Sequence, residues 1–313
     1  FCYSTSARID GKQCLVVYNG KLHSVDILNL TDCQPLRQVI LAKEGPDQIL
    51  TPKGIGYYKD SFIIFTTNGL YRVGQDGKVL SKKLLNDLPQ VKEDGYGIAV
   101  PGLSIYFSVY SFFGFDASKG VVALPLYSYE KDATGEYPKK VLVISCDDWT
   151  IRNEVEIDCP DIIKKEGDMQ LLSCINVLPH GDWLIYNFPA SSKVYVYDLS
   201  AKKSKEYDFP STFTDSFFRL PDMNEEEPGF GCLKTGYYFP LCYDAYHDVF
   251  WRVQQGPLDG HGVAGKPFSV MCISTDLMNS AEYVIPAGSK IYPDLAFTDS
   301  LVLLPYTGGD KIG

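Results

Sequence analysis

Apolar and polar residues alternate with period two in short runs along most of this chain. Lys193-Val-Tyr-Val-Tyr-Asp198 is one clear run, and the polar stretch Ser200 to Lys205 follows it. Leu22 to Asn29, Gly69 to Val73 and Phe268 to Ile273 repeat the phrase, each with Asp or Asn at or just beyond its end. Period two marks a half-buried strand, and clustered Asp, Asn, Gly and Pro mark turns. Room for a turn or two of helix exists only at 81–93 and 160–172. Strand-turn-strand units returning every few dozen residues predict an all-β fold, a β-propeller.

Grouping the runs gives the blades. The first takes 12–18, 22–30 and 36–42. The second takes 54–58, 61–67, 69–75 and 77–85. The third takes 103–109, 120–128, 139–146 and 150–157, with an insert around Ser128 to Pro138. The fourth takes 172–178, 182–188, 192–199 and 203–209. The fifth takes 236–243, 248–254, 267–274 and 280–286, after an insert at 211–235. Only 293–298 and 300–306 remain for the last. A propeller must remove its open edge, so residues 1–10 are expected to complete that blade. The expectation is six blades in one domain spanning 1–313, with seven as the alternative the length allows.

Composition agrees with a large β core: 45% of residues are hydrophobic and 13% aromatic, with 22 Tyr and 17 Phe. The net charge is −10, and only six of the 29 basic residues are Arg. The nearest approach to a basic run is Lys202-Lys203-Ser204-Lys205, which reads as a solvated hairpin turn. Nucleic acid is therefore not an expected partner, because phosphate neutralisation needs clustered Lys and Arg. No window reaches the roughly 18 apolar residues of a membrane span. The chain opens on Phe1-Cys2-Tyr3, which says little about compartment. Its nine Cys are irregularly spaced with no Cys-x-x-Cys, so zinc is not expected. Cys14, Cys174 and Cys272 lie in apolar runs and read as buried thiols. A Cys146–Cys159 bridge across a hairpin is left open.

The search for chemistry assigns no catalytic residue, no metal and no cofactor. Sialidases carry Ser-x-Asp-x-Gly-x-x-Trp turns and three convergent Arg; the turns are missing, and Arg72 and Arg152 read as structural. Other glycosidases need two facing carboxylates. Glu44 and Asp47 flank the Gly45-Pro46 corner between the first two blades, although a plain polar turn explains them as well. His23, His180, His247 and His261 show no ligand spacing. Neither Gly-x-Ser-x-Gly nor a phosphate loop occurs; Gly229-Phe230-Gly231 opens no helix. The most unusual stretch is 222–261. An acidic insert, Asp222 to Glu227, precedes Tyr237, Phe239, Tyr243, Asp244, Trp251 and Arg252. Inserts on a rigid scaffold often carry recognition, and aromatic rings with carboxylates suit a sugar or peptide. Interblade packing of the same rings is the competing explanation.

Tyr243-Asp244 followed by Trp251-Arg252 resembles the strand pair of the DUF4221 family, Bacteroides-type β-propeller proteins of unknown function. Glu44-Gly45-Pro46 and Lys266 to Val270 with Asp276 resemble two further family segments, and their order covers about 12–306. The resemblance implies secretion and a lipid anchor at the outer membrane, facing periplasm or exterior. It implies no catalytic residue. The anchor's motif is missing from this chain, Cys2 is not assigned to it, and nine Cys exceed what such a protein suggests. The expectation is an extracytoplasmic binding or scaffold protein. A glycan or protein partner would meet Glu44, Asp47, Tyr237, Tyr243, Asp244, Trp251 and Arg252. Two readings remain beside it: a glycoside hydrolase or sialidase-like enzyme with a divergent site, and a structural protein of a cell-envelope assembly. The oligomeric state is left open.

Overall fold

The alternating runs fold as antiparallel meanders. The computed structural model describes residues 4–98, 113–128, 130, 139–160, 174–213, 236–256, 267–286, 295–304, 307–308 and 311–312. The chain divides into two compact units, Phe1–Val100 with Phe112–Ile157, and Pro101–Ser111 with Asp158–Gly313.

In the first unit, blade 1 orders β1 (Ser4–Ile9), β2 (Lys12–Asn19), β3 (Ser24–Asn29) and β4 (Pro35–Ile40). Blade 2 orders β5 (Pro52–Tyr58), β6 (Ser61–Thr66), β7 (Gly69–Gly74) and β8 (Val79–Leu84). A 3-10 turn at Leu85–Asp87 and the single-turn helix α1 (Pro89–Lys92) fall inside the predicted 81–93 segment. Blade 3 comprises β9 (Tyr96–Gly97), β10 (Gly114–Asp116), β11 (Val121–Ser128), β12 (Lys139–Ser145) and β13 (Ile151–Ile157), with β9 paired to β11.

In the second unit, blade 4 orders β14 (Asn176–His180), β15 (Trp183–Asn187), β16 (Lys193–Asp198) and β17 (Lys203–Asp208). Blade 5 orders β18 (Tyr237–Asp244), β19 (Val249–Gln255), β20 (Phe268–Ser274) and β21 (Ser280–Ile285). Two short ladders follow, β22 (Ala296–Phe297) with β23 (Val302–Leu303) and β24 (Thr307–Gly308) with β25 (Lys311–Ile312).

The Asp residues that end the runs close the turns. Asp116 accepts the amides of Ser118 and Lys119 at 2.8 and 3.2 Å. Asp198 does the same for Ser200 and Ala201 at 2.9 and 2.7 Å, and Asp244 for Tyr246 and His247 at 3.0 and 3.3 Å. A short carboxylate reaching two or three residues ahead satisfies turn amides that no strand partner can reach.

Burial grades across each blade. β6 and β12 are buried at every position, and their central residues, Phe62 to Phe65 and Val141 to Ile144, are apolar on both faces. The outer strands β4, β17 and β21 are largely exposed. Lys203, Lys205 and Glu206 place charge on the edge of β17, which discourages strand addition. Ile27, Ile49, Phe62 and Ile64 pack blade 1 on blade 2, and Phe65, Leu124, Leu142 and Ile144 pack blade 2 on blade 3. Ile185, Val194, Phe250 and Ile273 join blades 4 and 5. Each such side chain contributes about 1.5–3 kcal/mol on burial. Gly54 and Gly56 let two rings of blade 3 lie directly on β5. A Cβ there would come within 1.9 Å of Phe113 and 2.6 Å of Phe115.

The fold is an all-β propeller, and two expectations need correction. Five blades are described, not six or seven. The N-terminal strand does not close a last blade: β1 pairs with β2, Ser4 opposite Val17 through Ile9 opposite Lys12. The cause is the two-residue turn Asp10-Gly11, whose φ angles of 49° and 77° match the twist of a tight hairpin. Of the bridge left open in the sequence, Cys146 and Cys159 are both buried and not bonded to each other, and burial pushes the Cys146 thiol up to about 12. Arg72 and Arg152 are structural as expected, donating to Ser61 Oγ at 2.8 Å and Ser145 Oγ at 3.1 Å. The predicted strand 103–109, segments 161–172 and 214–235, and Cys2, Arg219, Cys232 and His261 lie outside the described residues.

Candidate functional site

Glu44 and Asp47 belong to the first unit. Glu44 is exposed on the corner after blade 1, where Gly45 turns at φ 82° and the Gln48 amide donates to the Gly45 carbonyl at 3.1 Å. Asp47 accepts the Val79 amide at 3.0 Å and so ties the corner to the outer strand of blade 2. This corner is a polar turn with one structural carboxylate.

The other five predicted residues lie on β18 and β19 of blade 5. Leu241 stands opposite Arg252, Cys242 opposite Trp251, and Tyr243 opposite Phe250. Neighbours along a strand point to opposite faces. Tyr243 and Arg252 therefore share one face, and Asp244 and Trp251 share the other. The ring of Tyr243 lies 4.3 Å from that of His180, centre to centre, and its hydroxyl donates to Asp248 at 2.9 Å. Tyr237 is buried with its hydroxyl on Gln255. Asp244 is fully buried; besides the two turn amides it accepts from His247 Nδ1 at 2.6 Å and Trp251 Nε1 at 3.3 Å.

Arg252 is fully buried between blades 4 and 5. Its guanidinium donates to the Ser192 carbonyl at 2.9 Å and to the Phe209 carbonyl, and it lies 4.3 Å from the centre of the Tyr238 ring. Its Nε has no acceptor among the described residues. Burial pulls its pKa down to about 10, against the opposing pull of Tyr238, Asp208 and Glu282. Glu282 on β21 gathers a polar knot beside it. It accepts from Ser269 Oγ at 2.6 Å, the Thr212 amide and hydroxyl at 2.7 Å each, Gln254 at 3.2 Å, and Ser211 Oγ. Burial alone would raise the Glu282 pKa; the hydrogen bonds outweigh it and hold the carboxyl below its ordinary value. These blade 5 groups join strands and blades.

Blade 4 carries a recess on its other face. Register sets Tyr186 opposite Tyr195, and Tyr195 opposite Glu206. The two Tyr rings stack 5.0 Å apart at 12° between planes, and Phe188 meets Tyr195 edge-on at 6.2 Å. The recess holds about 580 Å³, lined by the two Tyr rings with Asp158, Ser191, Ser204 and Lys205 among others. Lys193 Nζ and Glu206 Oε1 form an ion pair of 2.5 Å within it. Burial pushes the Tyr186 phenol up to about 12, against a hydrogen bond from Ser204. Tyr186 thus stays a neutral hydroxyl across the physiological range. A ring platform, several hydroxyls and fixed charges of both signs can orient a polar small molecule or a chain segment.

None of these recess residues was singled out from the sequence, where Lys193 to Asp198 read as ordinary repeat. The signal that could have found them is the register across the Phe188 to Ser192 loop, which sets Tyr186 against Tyr195. Among the described residues, no group of three or more His, Cys, Asp or Glu is placed to hold a metal ion. His23 is buried, its ring nitrogens 2.8 Å from the Tyr18 hydroxyl and 3.0 Å from the Ile49 carbonyl. No described helix is long and apolar enough to cross a membrane.

Comparison with known proteins places this architecture. A crystal structure of a DUF4221 member from Bacteroides vulgatus superposes with a TM-score of 0.68 at 15% identity, covering 97% of this chain and 86% of that one. A calcium-binding regucalcin from Agrobacterium tumefaciens reaches a TM-score of only 0.49 at 13% identity, over 94% and 77% of the two chains, too weak to bear on this protein. No curated protein matches the chain. The family described as "Domain of unknown function (DUF4221)" matches residues 3–278, in agreement with the Tyr243-Asp244, Trp251-Arg252 and Glu44-Gly45-Pro46 segments. This chain belongs to the DUF4221 family.

Proposed function

We propose that the protein is an extracytoplasmic binding or scaffold propeller that recognises a glycan or protein partner through the recess on blade 4. The observation that carries this reading is the lining of that recess: stacked Tyr186 and Tyr195, the Lys193–Glu206 pair, and the hydroxyls of Ser191 and Ser204. These groups are spread across three strands, and only the folded blade gathers them. The Glu206 carboxylate is held by Lys193, which suits fixing a ligand better than giving up a proton. Function is argued from this site, since the fold alone hosts many activities. The location outside the cytoplasm, with a lipid anchor, is the one the family resemblance implies.

The test pairs a glycan array with pull-down from cell-envelope extracts, using the wild-type protein and Tyr195→Ala. Wild-type protein should retain a ligand that the variant loses. Turnover of a glycoside by the wild-type protein, or ligand capture indifferent to Tyr195, overturns the reading. Fractionation of the source cells checks the location; recovery in the cytosol counts against it.

A further inference from the structure

We infer that the blade 4 recess takes a neutral glycan, a short run of uncharged sugar rings, and discriminates against acidic ones. The inference rests on the binding role proposed above and specifies its ligand. Three observations carry it.

The first is charge. Among the described residues, the charged side chains that line the recess are Asp158, Glu206, Lys193 and Lys205, two of each sign. Lys193 and Glu206 neutralise each other at 2.5 Å. Lys205 and Asp158 add one charge of each sign outside that pair, so the described lining carries no net charge of either sign. Neither a net anion nor a net cation gains from the local field, because complementary potential is what draws a charged ligand.

The second is donor and acceptor supply. Ser191 offers a hydroxyl that can donate and accept, as a sugar hydroxyl does, while Ser192, which donates to Asp208, and Ser204, which donates to Tyr186, offer acceptor capacity. Glu206 has acceptor capacity beyond its bond to Lys193, and a carboxylate accepts from neighbouring hydroxyls in pairs.

The third is the ring platform. Tyr186 is buried and immobilised beneath Tyr195, which is only half-buried. The stack at 12° holds the Tyr195 ring in one plane. A flat, rigid aromatic face meets the axial C–H groups of a pyranose at little entropic cost. The recess volume of about 580 Å³ lies within the roughly 300–1,000 Å³ of small-molecule sites.

The experiment is titration of the whole protein, followed by tyrosine fluorescence and calorimetry. The probes are neutral hexose oligosaccharides of graded length, oligogalacturonates of matched length and sulfated oligosaccharides. Neutral oligosaccharides should bind. Tyr195→Ala should weaken them about tenfold or more, the loss of one stacking platform. Glu206→Gln, an exposed edge-strand change that leaves packing intact, should weaken them about as much and serves if Tyr195→Ala fails to fold. Tyr283→Ala, at a ring 70% exposed on the outer strand of blade 5, should bind as wild type does. Affinity that rises with ligand length identifies a polysaccharide chain as the source, and affinity flat with length identifies a free sugar. Equal or tighter binding of the acidic glycans overturns the inference. So does neutral binding that neither recess variant changes. Capture of a protein through Tyr195 with no glycan bound overturns the ligand class while leaving the recess as the binding site.

Discussion

Blades 4 and 5 are built on the same plan and use their polar side chains in opposite ways. Both are four-stranded meanders in chain order, and both close a turn with an Asp that accepts two amides. In blade 5, the buried Arg252 and Asp244 reach inward to carbonyls, a ring and an indole. In blade 4, Tyr195, Lys193 and Glu206 stand over a recess. Blade 5 therefore binds the protein to itself, and blade 4 leaves polar groups at the wall of a recess. The lesson is that a cluster of chemically rich residues is as much a sign of a joint as of a site. Burial and partner atoms separate the two; residue type does not.

The sharpest way to break this contrast is at Arg252. Arg252→Ala would leave the Phe209 carbonyl without this donor, leave the Ser192 carbonyl with the Phe209 amide at 3.3 Å, and open a cavity beside Tyr238. An orphaned acceptor costs about 1–3 kcal/mol and the cavity adds to it, so the expected loss is about 3–5 kcal/mol by urea unfolding. A loss below about 1 kcal/mol would mean that Arg252 is no joint.

The paired caps offer a second comparison of smaller size. Asp198→Ala removes only the turn amides' acceptor and should cost about 1 kcal/mol. Asp244→Ala also strands His247 and Trp251 against a buried gap and should cost about 2–3 kcal/mol. Thermal melts of the two variants side by side decide it; equal shifts would show that the burial of Asp244 adds nothing.

The smallest effect concerns Glu282. Its carboxyl is held below the ordinary value of 4.5 by hydrogen bonds that outweigh its burial. The folded state therefore binds fewer protons than the unfolded state in this range. The knot contributes its stability above the unfolded pKa and loses it as pH falls through the lower folded one. Glu282→Gln should flatten the decline of stability below about pH 4.5 and lower stability slightly at pH 7. An acid limb identical to wild type would remove Glu282 from the account.

Much of the fold was legible because strands announce themselves by period two. Four-strand groups at 54–85, 172–209 and 236–286 predicted blades 2, 4 and 5 within a few residues at each end. The N-terminal strand escaped for a physical reason. Ser4 to Arg8 is polar and mostly half-buried, without alternation, and becomes a strand only by pairing with β2. The predicted blade 5 residues divide between two faces by a parity that was present in the sequence. Tyr243 and Asp244 are adjacent in one strand, as are Trp251 and Arg252, so no single face can display all four. Tyr186 and Tyr195 were harder, because their meeting depends on a register that the intervening loop sets.

The Arg252 bridge also bears on how this chain comes off the ribosome. Its acceptors at Ser192 and Phe209 precede it by 60 and 43 residues. Blade 4 therefore emerges with the Phe209 carbonyl lacking this donor and the Ser192 carbonyl held by the Phe209 amide, and both wait for β19 to be synthesised. Vectorial folding thus makes the side of blade 4 that meets blade 5 a provisional surface, and a nascent chain stalled before Arg252 would leave that seam open.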